Sequence, residues 1–293
     1  MSLSFVGRYR IKTIWNSSYR SWISLFVIFL KYAIIYWKIF ELWEVIMKFL
    51  GVIPARYAST RLEGKPLKNI CGHSMIEWVY RRCQNTKLDD IIVATDDDRI
   101  FKEVEAFGGK VMMTSSKHPN GTSRIAEVCQ KMTNYDVIVN IQGDEPLIEA
   151  QMIDMIIEAF QKESLCMCTL KHKLQKWEDI ENPNQVKVVT DKKDYALYFS
   201  RSVLPYPRKE NSALYYKHIG IYGYTREFVL EYAAMAPTAL ETSESLEQLR
   251  ALENGYKIKV LETLYQSVGV DTQEDLEKVC QWIQERGITI EDN

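Results

Sequence analysis

The six cysteines of this 293-residue sequence lack the paired spacing of a zinc site or of a small disulfide-bonded scaffold. Cys166 and Cys168 lie in an apolar run, where both thiols would share one face of a strand. We therefore predict that all the cysteines are reduced core residues of a cytosolic protein, with no thiolate metal site. Their positions are Cys71, Cys83, Cys129, Cys166, Cys168 and Cys280.

The chain also lacks a strong net charge. Its formal charge is −2 at pH 7, but residues 1–46 carry +4 and the remainder carries −6. A nucleic-acid-binding surface would need a basic stripe with interleaved aromatic side chains, and residues 47–293 contain none. We therefore expect no nucleic-acid partner, and a basic loop in this mildly acidic body would indicate a local anion site.

Residues 1–46 lack the small-residue cleavage site of a secretory signal peptide. Their apolar stretch at 22–37 is interrupted by Lys31 and offers roughly 16 apolar positions, whereas a membrane-spanning helix needs about 20. Two interpretations remain open: an unusual membrane-associating leader, or an extension outside the natural protein, whose translation would start at Met47. We favour the second, and expect membrane contact only through residues 1–46 if they are translated.

From Met47 onward the sequence shows no internal repeat and no low-complexity linker. Apolar runs with the length of buried strands alternate with helical patterns, as in right-handed β-α-β crossovers of a mostly parallel sheet. Later the alternation gives way to strand pairs, and residues 185–190 and 195–200 are predicted to form a hairpin. The sequence thus predicts one α/β domain over residues 47–293, with an antiparallel excursion late in the chain.

One stretch, residues 49–67, combines a buried strand with a basic loop. Residues 49–53 are predicted to form the strand, and Pro54 to end it because proline has no N–H to donate. Small side chains in the loop would let backbone N–H groups approach phosphate oxygens, while its cations neutralise charge. The stretch lacks the spacing of a Walker A motif, so it predicts a polyphosphate site of another kind, the alternative being a solvated basic loop. The cations are Arg56, Arg61 and Lys65.

Acidic residues follow three of the apolar runs: Asp96, Asp144 and Asp271. Ligands of open α/β sheets bind beyond the carboxyl ends of strands, although an acid at such a place often serves only as a helix cap. Asp271 is followed by Thr272, which can cap the last helix in its place. Asp144 and Asp271, facing a triphosphate held by Arg and Lys, would supply the hard oxygen ligands of a Mg²⁺ site.

Ten motifs resemble, in order, those of the 3-deoxy-D-manno-octulosonate (Kdo) cytidylyltransferases, also called CMP-Kdo synthetases. The resemblance begins at Met47 and excludes residues 1–46. The motifs are IPARYASTRL at 53–62, GKPL at 64–67, VATD at 93–96, GTSR at 121–124, NIQGDEP at 140–146, NPN at 182–184, ALYFSR at 196–201, HIGIYGY at 218–224, LEQLR at 246–250 and GVDT at 269–272.

The resemblance implies an enzyme that takes CTP and Kdo and releases pyrophosphate and CMP-Kdo, the activated sugar for the inner core of lipopolysaccharide. It further implies a single nucleotide-diphospho-sugar transferase domain of the glycosyltransferase-A-like type, with a mostly parallel central sheet. Mg²⁺ would be the cofactor. The enzyme would be a cytoplasmic homodimer that forms through the antiparallel excursion.

The resemblance also assigns roles by position. The nucleotide would be bound by Ala55, Arg56, Ser59, Arg61, Lys65, Asn120, Thr122 and Gln142. The catalytic residues would be Arg56, Lys65, Asp144 and Asp271, and the two aspartates would ligate Mg²⁺. The sugar would contact Arg124, Gln142, Arg201, His218, Tyr222, Glu247 and Gln248. The carboxylate of the sugar requires a cation, which Arg124 or Arg201 would supply.

The expected mechanism is direct attack by the anomeric hydroxyl of the sugar on the α-phosphorus of CTP, catalysed by positioning and charge neutralisation. His218 is a candidate general base, but a single histidine in an aromatic strand serves equally well as a positioning or core residue, so the base stays unassigned. Two positions depart from the family. Glu63, expected to face solvent, replaces a frequent Pro, and Ser123 replaces a Glu of some members at a turn where Thr122 or Ser123 would cap the next helix.

Two alternative functions remain open. A cytidylyltransferase for a related acid sugar, an 8-amino Kdo analogue or a sialic acid, would differ only in a few pocket residues. From a different class, an inactive membrane-tethered nucleotide-binding protein would give residues 1–46 a purpose. The intact set of Arg56, Lys65, Asp144 and Asp271 argues against an inactive protein.

Overall fold

Strand β1, Phe49–Ala55, lies in the interior of a nine-stranded sheet, with neighbours on both sides. The computed structural model describes residue 31 and residues 47–58, 62–209, 212–266 and 268–290. The contacts between residues group the chain into two compact units, Met1–Ile46 and Met47–Asn293. The second unit is described below. The predictions for residues 1–46, Ser59 and Arg61 fall outside the described residues. Within those residues no helix has the length and apolar character needed to cross a membrane.

The first half of the domain alternates strands and helices, as the sequence predicts. A 3-10 turn at Lys65–Leu67 follows β1 and leads into a short hairpin of β2 (Asn69–Ile70) and β3 (His73–Ser74). The next elements are α1 (Met75–Cys83), β4 (Asp90–Thr95), α2 (Asp98–Ala106), β5 (Val111–Met113), α3 (Gly121–Lys131), β6 (Val137–Asn140) and α4 (Ala150–Lys162).

The second half is richer in strands and contains two short helices, α5 and α7, that the sequence analysis did not predict. Its elements are β7 (Met167–Leu174), α5 (Trp177–Glu181), β8 (Lys187–Thr190), β9 (Ala196–Ser200), β10 (Tyr215–Thr225), α6 (Arg226–Ala234), α7 (Ala239–Glu244), α8 (Gln248–Glu253), β11 (Ile258–Thr263) and α9 (Gln273–Arg286).

The main sheet has the order β11-β7-β10-β6-β1-β4-β5. β1 pairs in parallel with β4 and β6, β4 with β5, and β7 with β11. The antiparallel pairs between strands of this sheet involve β10 or the predicted hairpin. β10 lies between β6 and β7 and is antiparallel to both, and it also pairs with β8, which forms the hairpin with β9. The predicted α/β domain with a mainly parallel central sheet and a late antiparallel excursion is therefore confirmed.

Pro54 does not end β1, contrary to the prediction. The strand continues to Ala55, with Pro54 opposite Ala94 of β4. In a β-strand, the backbone groups of successive residues point to opposite neighbouring strands. The nitrogen of Pro54 therefore points to the same side as the carbonyl of Val52, which accepts a hydrogen bond from the N–H of Ile141, just after β6. Pairing with β6 stops at Val52. The missing N–H of proline thus falls where no ladder bond is needed.

The cap of α3 is also different from the predicted one. Asn120, not Thr122 or Ser123, occupies the N-cap, and its side-chain oxygen accepts from the backbone N–H of Ser123 at 2.9 Å. Asn is among the strongest N-cap residues because its short side chain reaches the free N–H groups of the first turn. Thr122 is buried instead.

The side chains of β1 alternate between two apolar layers, one on each face of the sheet. Ile53 packs in one layer and Val52 in the other. A third cluster packs α9 against α1 and the β2–β3 hairpin, where Trp78 donates its indole N–H to the carbonyl of Ile70 at 2.8 Å. The prediction that every cysteine belongs to the core is wrong for Cys71, which is exposed in the turn between β2 and β3.

Candidate active site

A pocket of about 860 Å³ opens at the carboxyl ends of β1 and β6. Eight of the predicted site residues line it, and all are polar or charged except one alanine. They are Ala55, Arg56, Lys65, Asn120, Arg124, Gln142, Asp144 and Asp271. The pocket lies where the strand order of an α/β sheet leads us to expect ligands.

The basic loop after β1 closes on itself through Gly64. The N–H of Gly64 donates to the carbonyl of Tyr57 at 3.1 Å, and Gly64 has a φ of 65°. A Cβ at this position would meet the Tyr57 ring at 3.0 Å, so both the backbone conformation and the close approach favour glycine. The guanidinium of Arg99 packs on the Tyr57 ring, 3.2 Å from its centroid. The closed loop delivers Lys65 to the pocket at the start of the 3-10 turn.

The ammonium of Lys65 lies between two carboxylates. Its Nζ is 2.8 Å from Asp144 Oδ2 and 2.9 Å from Asp271 Oδ1. Burial lowers the pKa of Lys65, but the two carboxylates outweigh it, so that the pKa lies above its ordinary value and the side chain is charged. One cation is thus held by two acids that are 79 and 206 residues away in sequence.

Backbone contacts hold the two aspartates together. The N–H of Val270 donates to the carbonyl of Asp144 at 2.9 Å, which fixes the chain before Asp271 against the loop after β6. A capping box formed by Thr272 and Asp275 starts α9 directly afterwards, as predicted for Thr272. Because Thr272 and Asp275 cap the helix, the Asp271 side chain is not needed as a cap and lines the pocket. Gly143 permits the close approach on the other side, since a Cβ there would lie 3.2 Å from the carbonyl oxygen of Pro54.

Comparison with known proteins decides the family. A family model described as cytidylyltransferase matches residues 50–258. The 3-deoxy-manno-octulosonate cytidylyltransferase of Fusobacterium nucleatum is 66% identical over 245 residues, which cover 83% of this chain and 100% of the relative. That of Geotalea daltonii is 51% identical over 254 residues, covering 82% and 100%. The chain belongs to the 3-deoxy-manno-octulosonate cytidylyltransferase family.

A solved structure agrees with this assignment. The structure of CMP:2-keto-3-deoxy-manno-octonic acid synthetase complexed with CTP superimposes with a TM-score of 0.79 at 41% sequence identity, over 82% of this chain and 99% of that one. As a member of this cytidylyltransferase family the protein is a nucleotidyltransferase. Its fold is the one that the resemblance implies.

Arg124 of this cytidylyltransferase lines the pocket but is buried and paired. Its Nη2 lies 3.0 Å from Asp96 Oδ2, and its Nη1 donates to Thr114 Oγ1 at 2.5 Å. The acid after β4 therefore balances the charge of Arg124. Neither the role of Asp96 nor that of Thr114 was predicted, because their link to Arg124 depends on how β4 and α3 pack.

The predicted sugar residues of β10 and α8 connect to the pocket through two hydrogen bonds. Gln142 donates from Nε2 to the carbonyl of Gly220 on β10 at 2.9 Å. Asn120 donates from Nδ2 to Glu247 Oε1, just before α8, at 3.1 Å. These contacts join the predicted nucleotide residues to the elements that carry His218, Tyr222 and Glu247.

Glu247 is mostly enclosed, and its carboxylate is bound on several sides. Thr122 donates a hydrogen bond to it, and Arg250 Nη1 lies 3.8 Å from Oε1. Burial raises the pKa of Glu247 although Arg250 opposes the shift. Beside it, burial also raises the pKa of Tyr222, with a further contribution from the charge of Glu247, so that Tyr222 keeps its hydroxyl proton.

Two further residues that were predicted to bind the sugar are placed differently. Arg201 is not among the described residues that line the pocket, since its guanidinium donates to the carbonyls of Glu244 at 2.7 Å and Pro183 at 3.1 Å. Gln248 is buried, and its Nε2 has no hydrogen-bond partner within the described part of the chain. His118 and Glu63 line the pocket although the sequence analysis assigned them no ligand. His118 gave no signal beyond its place in a turn.

His218 is buried between aromatic rings. Its Nε2 lies 3.1 Å from Thr169 Oγ1, and its ring packs at 5.0 Å on Phe199 and 5.4 Å on Tyr222. Burial, with a smaller contribution from the charge of Lys217, lowers the pKa of His218 to about 3. The imidazole is therefore neutral at ordinary pH.

Replacement of His218 by asparagine is expected to flatten the acid side of the stability profile. The native state disfavours the protonated imidazolium form of His218. The contribution of His218 to the free energy of unfolding is therefore complete above the unfolded-state pKa of about 6.5, and it is lost as the pH falls towards 3. In that window the free energy of unfolding of the unmodified protein should fall by up to about 1.4 kcal/mol more per pH unit than that of the variant. Urea unfolding at several pH values measures the difference.

The raised pKa of Glu247 acts in the opposite direction, because burial of that carboxyl favours its neutral form at low pH. The comparison between the two proteins, and not the absolute slope, therefore reports on His218. Equal slopes in the two proteins would contradict the buried neutral imidazole.

Proposed function

We propose that the protein transfers CMP from CTP to the anomeric hydroxyl of Kdo, giving CMP-Kdo and pyrophosphate for lipopolysaccharide inner core synthesis. The observation that carries the proposal is the group of Lys65, Asp144 and Asp271, which lie in contact in a pocket at the strand ends. The relatives that are named for this activity match over their whole length. The solved relative that carries CTP has the same fold.

The nucleotide end of the pocket would be built from the loop after β1 and the start of α3. Arg56 and Lys65 would neutralise charge on the triphosphate. Lys65 would move from the carboxylates of Asp144 and Asp271 to the phosphate oxygens when a second cation binds between the two aspartates. Ala55 and Asn120 would contribute contacts at the same edge. Ser59 and Arg61 are proposed for the same role from sequence.

Asp144 and Asp271 fit the requirements of Mg²⁺. The structure shows that their carboxylate oxygens can share one positive group, which Lys65 Nζ provides at 2.8 and 2.9 Å. No cluster of three or more metal-binding side chains occurs within the described ranges, which suits an ion that takes few protein ligands and completes its shell with phosphate oxygens and water. Bound there, Mg²⁺ would neutralise charge on the triphosphate.

The acceptor would enter beside β10 and α8. Its anomeric oxygen would form a bond to the α-phosphorus of CTP while the bond from that phosphorus to the pyrophosphate oxygen breaks. Of the two candidate cations for the sugar carboxylate, Arg124 lines the pocket and Arg201 does not. We therefore assign the carboxylate to Arg124, although Asp96 already shares its charge. No side chain is assigned as general base.

Pyrophosphate release with CTP, Mg²⁺ and Kdo tests the proposed function. The full chain and residues 47–293 are compared, each substrate is omitted in turn, and UTP and ATP replace CTP. Release that requires CTP and Kdo together supports the proposal, and equal rates for the two proteins would show that residues 1–46 are dispensable. Pyrophosphate release only with an 8-amino Kdo analogue or a sialic acid would show that the acceptor is that sugar and not Kdo. No release with any acid sugar would refute the proposed function.

We further propose a cytoplasmic homodimer that forms through the antiparallel excursion. Large apolar side chains are exposed there, with exposed fractions of 63% for Leu197, 85% for Tyr206 and 59% for Leu214. The variant Tyr206→Asp with Leu214→Asp is expected to be monomeric by light scattering. The control Leu264→Asp, which changes a leucine after β11 with an exposed fraction of 89%, should keep the mass of two chains. A monomeric unmodified protein would contradict the proposal.

A further inference from the structure

Two cysteines outside the active site lie against each other. Cys71 is exposed in the β2–β3 turn, and its Sγ lies 3.8 Å from the carbonyl oxygen of Cys280 on α9. Cys280 is half-buried at the edge of the apolar cluster that joins α9 to the hairpin. An exposed thiol thus has a second cysteine as its immediate neighbour.

The other four cysteines lack this combination. Cys83, Cys129 and Cys168 are buried in the two main layers, and burial raises the pKa of each thiol. Cys166 is half-buried and contacts the backbone carbonyl of Lys257 rather than another thiol. Because an oxidant must reach the first sulfur and a second cysteine must lie beside it, these four are poor sites for an intramolecular disulfide.

We propose that Cys71 and Cys280 form a reversible intramolecular disulfide with a small-molecule disulfide as the oxidant. The Cys71 thiolate attacks one sulfur of the oxidant and releases one small thiolate. Cys280, as thiolate, then attacks the Cys71 sulfur of the mixed disulfide and releases the second. Both protons lost by the protein pass to the two released thiols, and two electrons reduce the oxidant.

The bond would join two segments that follow pocket-lining residues in the chain. The β2–β3 hairpin follows the 3-10 turn that begins with Lys65, and α9 follows Asp271. In the reduced protein, apolar packing holds these segments together. A disulfide would add a covalent link between positions 71 and 280, which constrains the unfolded chain over a long loop. The inference does not depend on the reaction that the active site performs.

Incubation of the full chain with oxidised glutathione tests the proposal. We expect the intact mass to fall by two hydrogen atoms, a cross-linked peptide with Cys71 and Cys280, a higher midpoint of thermal unfolding, and reversal of all three by dithiothreitol. Burial and the neighbouring thiol raise the pKa of Cys71, so the reaction should accelerate as the pH rises.

Three variants separate the possible outcomes. Cys280→Ser should stop at a stable glutathione adduct on Cys71, Cys71→Ser should not react, and the matched control Cys166→Ser should form the disulfide like the unmodified protein. A glutathione adduct that persists on Cys71 of the unmodified protein would overturn the proposal. So would a disulfide between two chains, or a cross-link that involves any other cysteine.

Discussion

Asparagine at position 144 or at position 271 is expected to lower the turnover number roughly a thousandfold or more while the fold stays intact. The substitution keeps the size of the side chain and removes the charge that faces Lys65 at 2.8 or 2.9 Å. The proposed metal site has two protein carboxylates, so each variant loses one of its two negative charges, although the amide oxygen stays in place. Initial rates of pyrophosphate release at increasing Mg²⁺ concentrations measure the effect.

The control for this prediction is Asp98→Asn, which removes an exposed carboxylate in the first turn of α2. It should keep both the turnover number and the metal dependence of the unmodified protein. Circular dichroism and thermal unfolding show whether Asp144→Asn and Asp271→Asn remain folded. Near-normal turnover in either variant, at ordinary Mg²⁺ concentration, would refute the metal assignment for that residue.

Lys65→Met should produce the second large loss, a decrease in kcat/KM for CTP of about a hundredfold to a thousandfold. Methionine has a similar length and no charge, so the triphosphate loses a cation. In the ligand-free protein the same change leaves Asp144 and Asp271 facing each other without the ammonium between them. The variant should therefore bind Mn²⁺ more tightly than the unmodified protein in the absence of nucleotide, because no internal cation competes for the carboxylates.

Lys68→Met is the matched control, because it removes the lysine that caps the same 3-10 turn. It should change neither kcat/KM nor Mn²⁺ binding. Electron paramagnetic resonance counts free Mn²⁺ without reference to activity, so the two readouts are independent. A Lys65→Met protein that binds Mn²⁺ as weakly as the unmodified protein would show that the carboxylates do not form the metal site.

The elements that build the pocket were largely predictable from the sequence. Apolar runs such as residues 49–53 and 91–95 are long enough, and rich enough in aliphatic side chains, to indicate buried strands without knowledge of their neighbours. The acids and cations that follow them could be assigned to one edge because parallel strands end on the same side. This regularity accounts for Asp144 after β6, whereas Asp271 lies in the irregular segment between β11 and α9 and is held near Asp144 by the hydrogen bond from the Val270 N–H to the Asp144 carbonyl.

The features that sequence could not supply depend on contacts between distant segments. That Pro54 can stay in β1 depends on where pairing with β6 ends. The preference for Asn120 over Thr122 as a cap depends on which side chain the sheet buries. Arg124 looked like a free cation for a sugar carboxylate until its contact with Asp96 was known. Pattern and motif carry no information on such pairings.

The crossing of β10 between β6 and β7 has a consequence for protein engineering. In the proposed function the donor is bound by residues 55–144 and Asp271, and the acceptor is bound by residues 218–248 together with Arg124 and Gln142. Three side-chain hydrogen bonds described above join residues 55–144 to residues 218–248: from Gln142 to the Gly220 carbonyl, from Asn120 to Glu247 and from Thr122 to Glu247. A chimera that receives β10 to α8 from a relative with a different acceptor must therefore preserve these bonds and the pairing of β10 with β6, and it keeps Arg124 and Gln142 from the donor side.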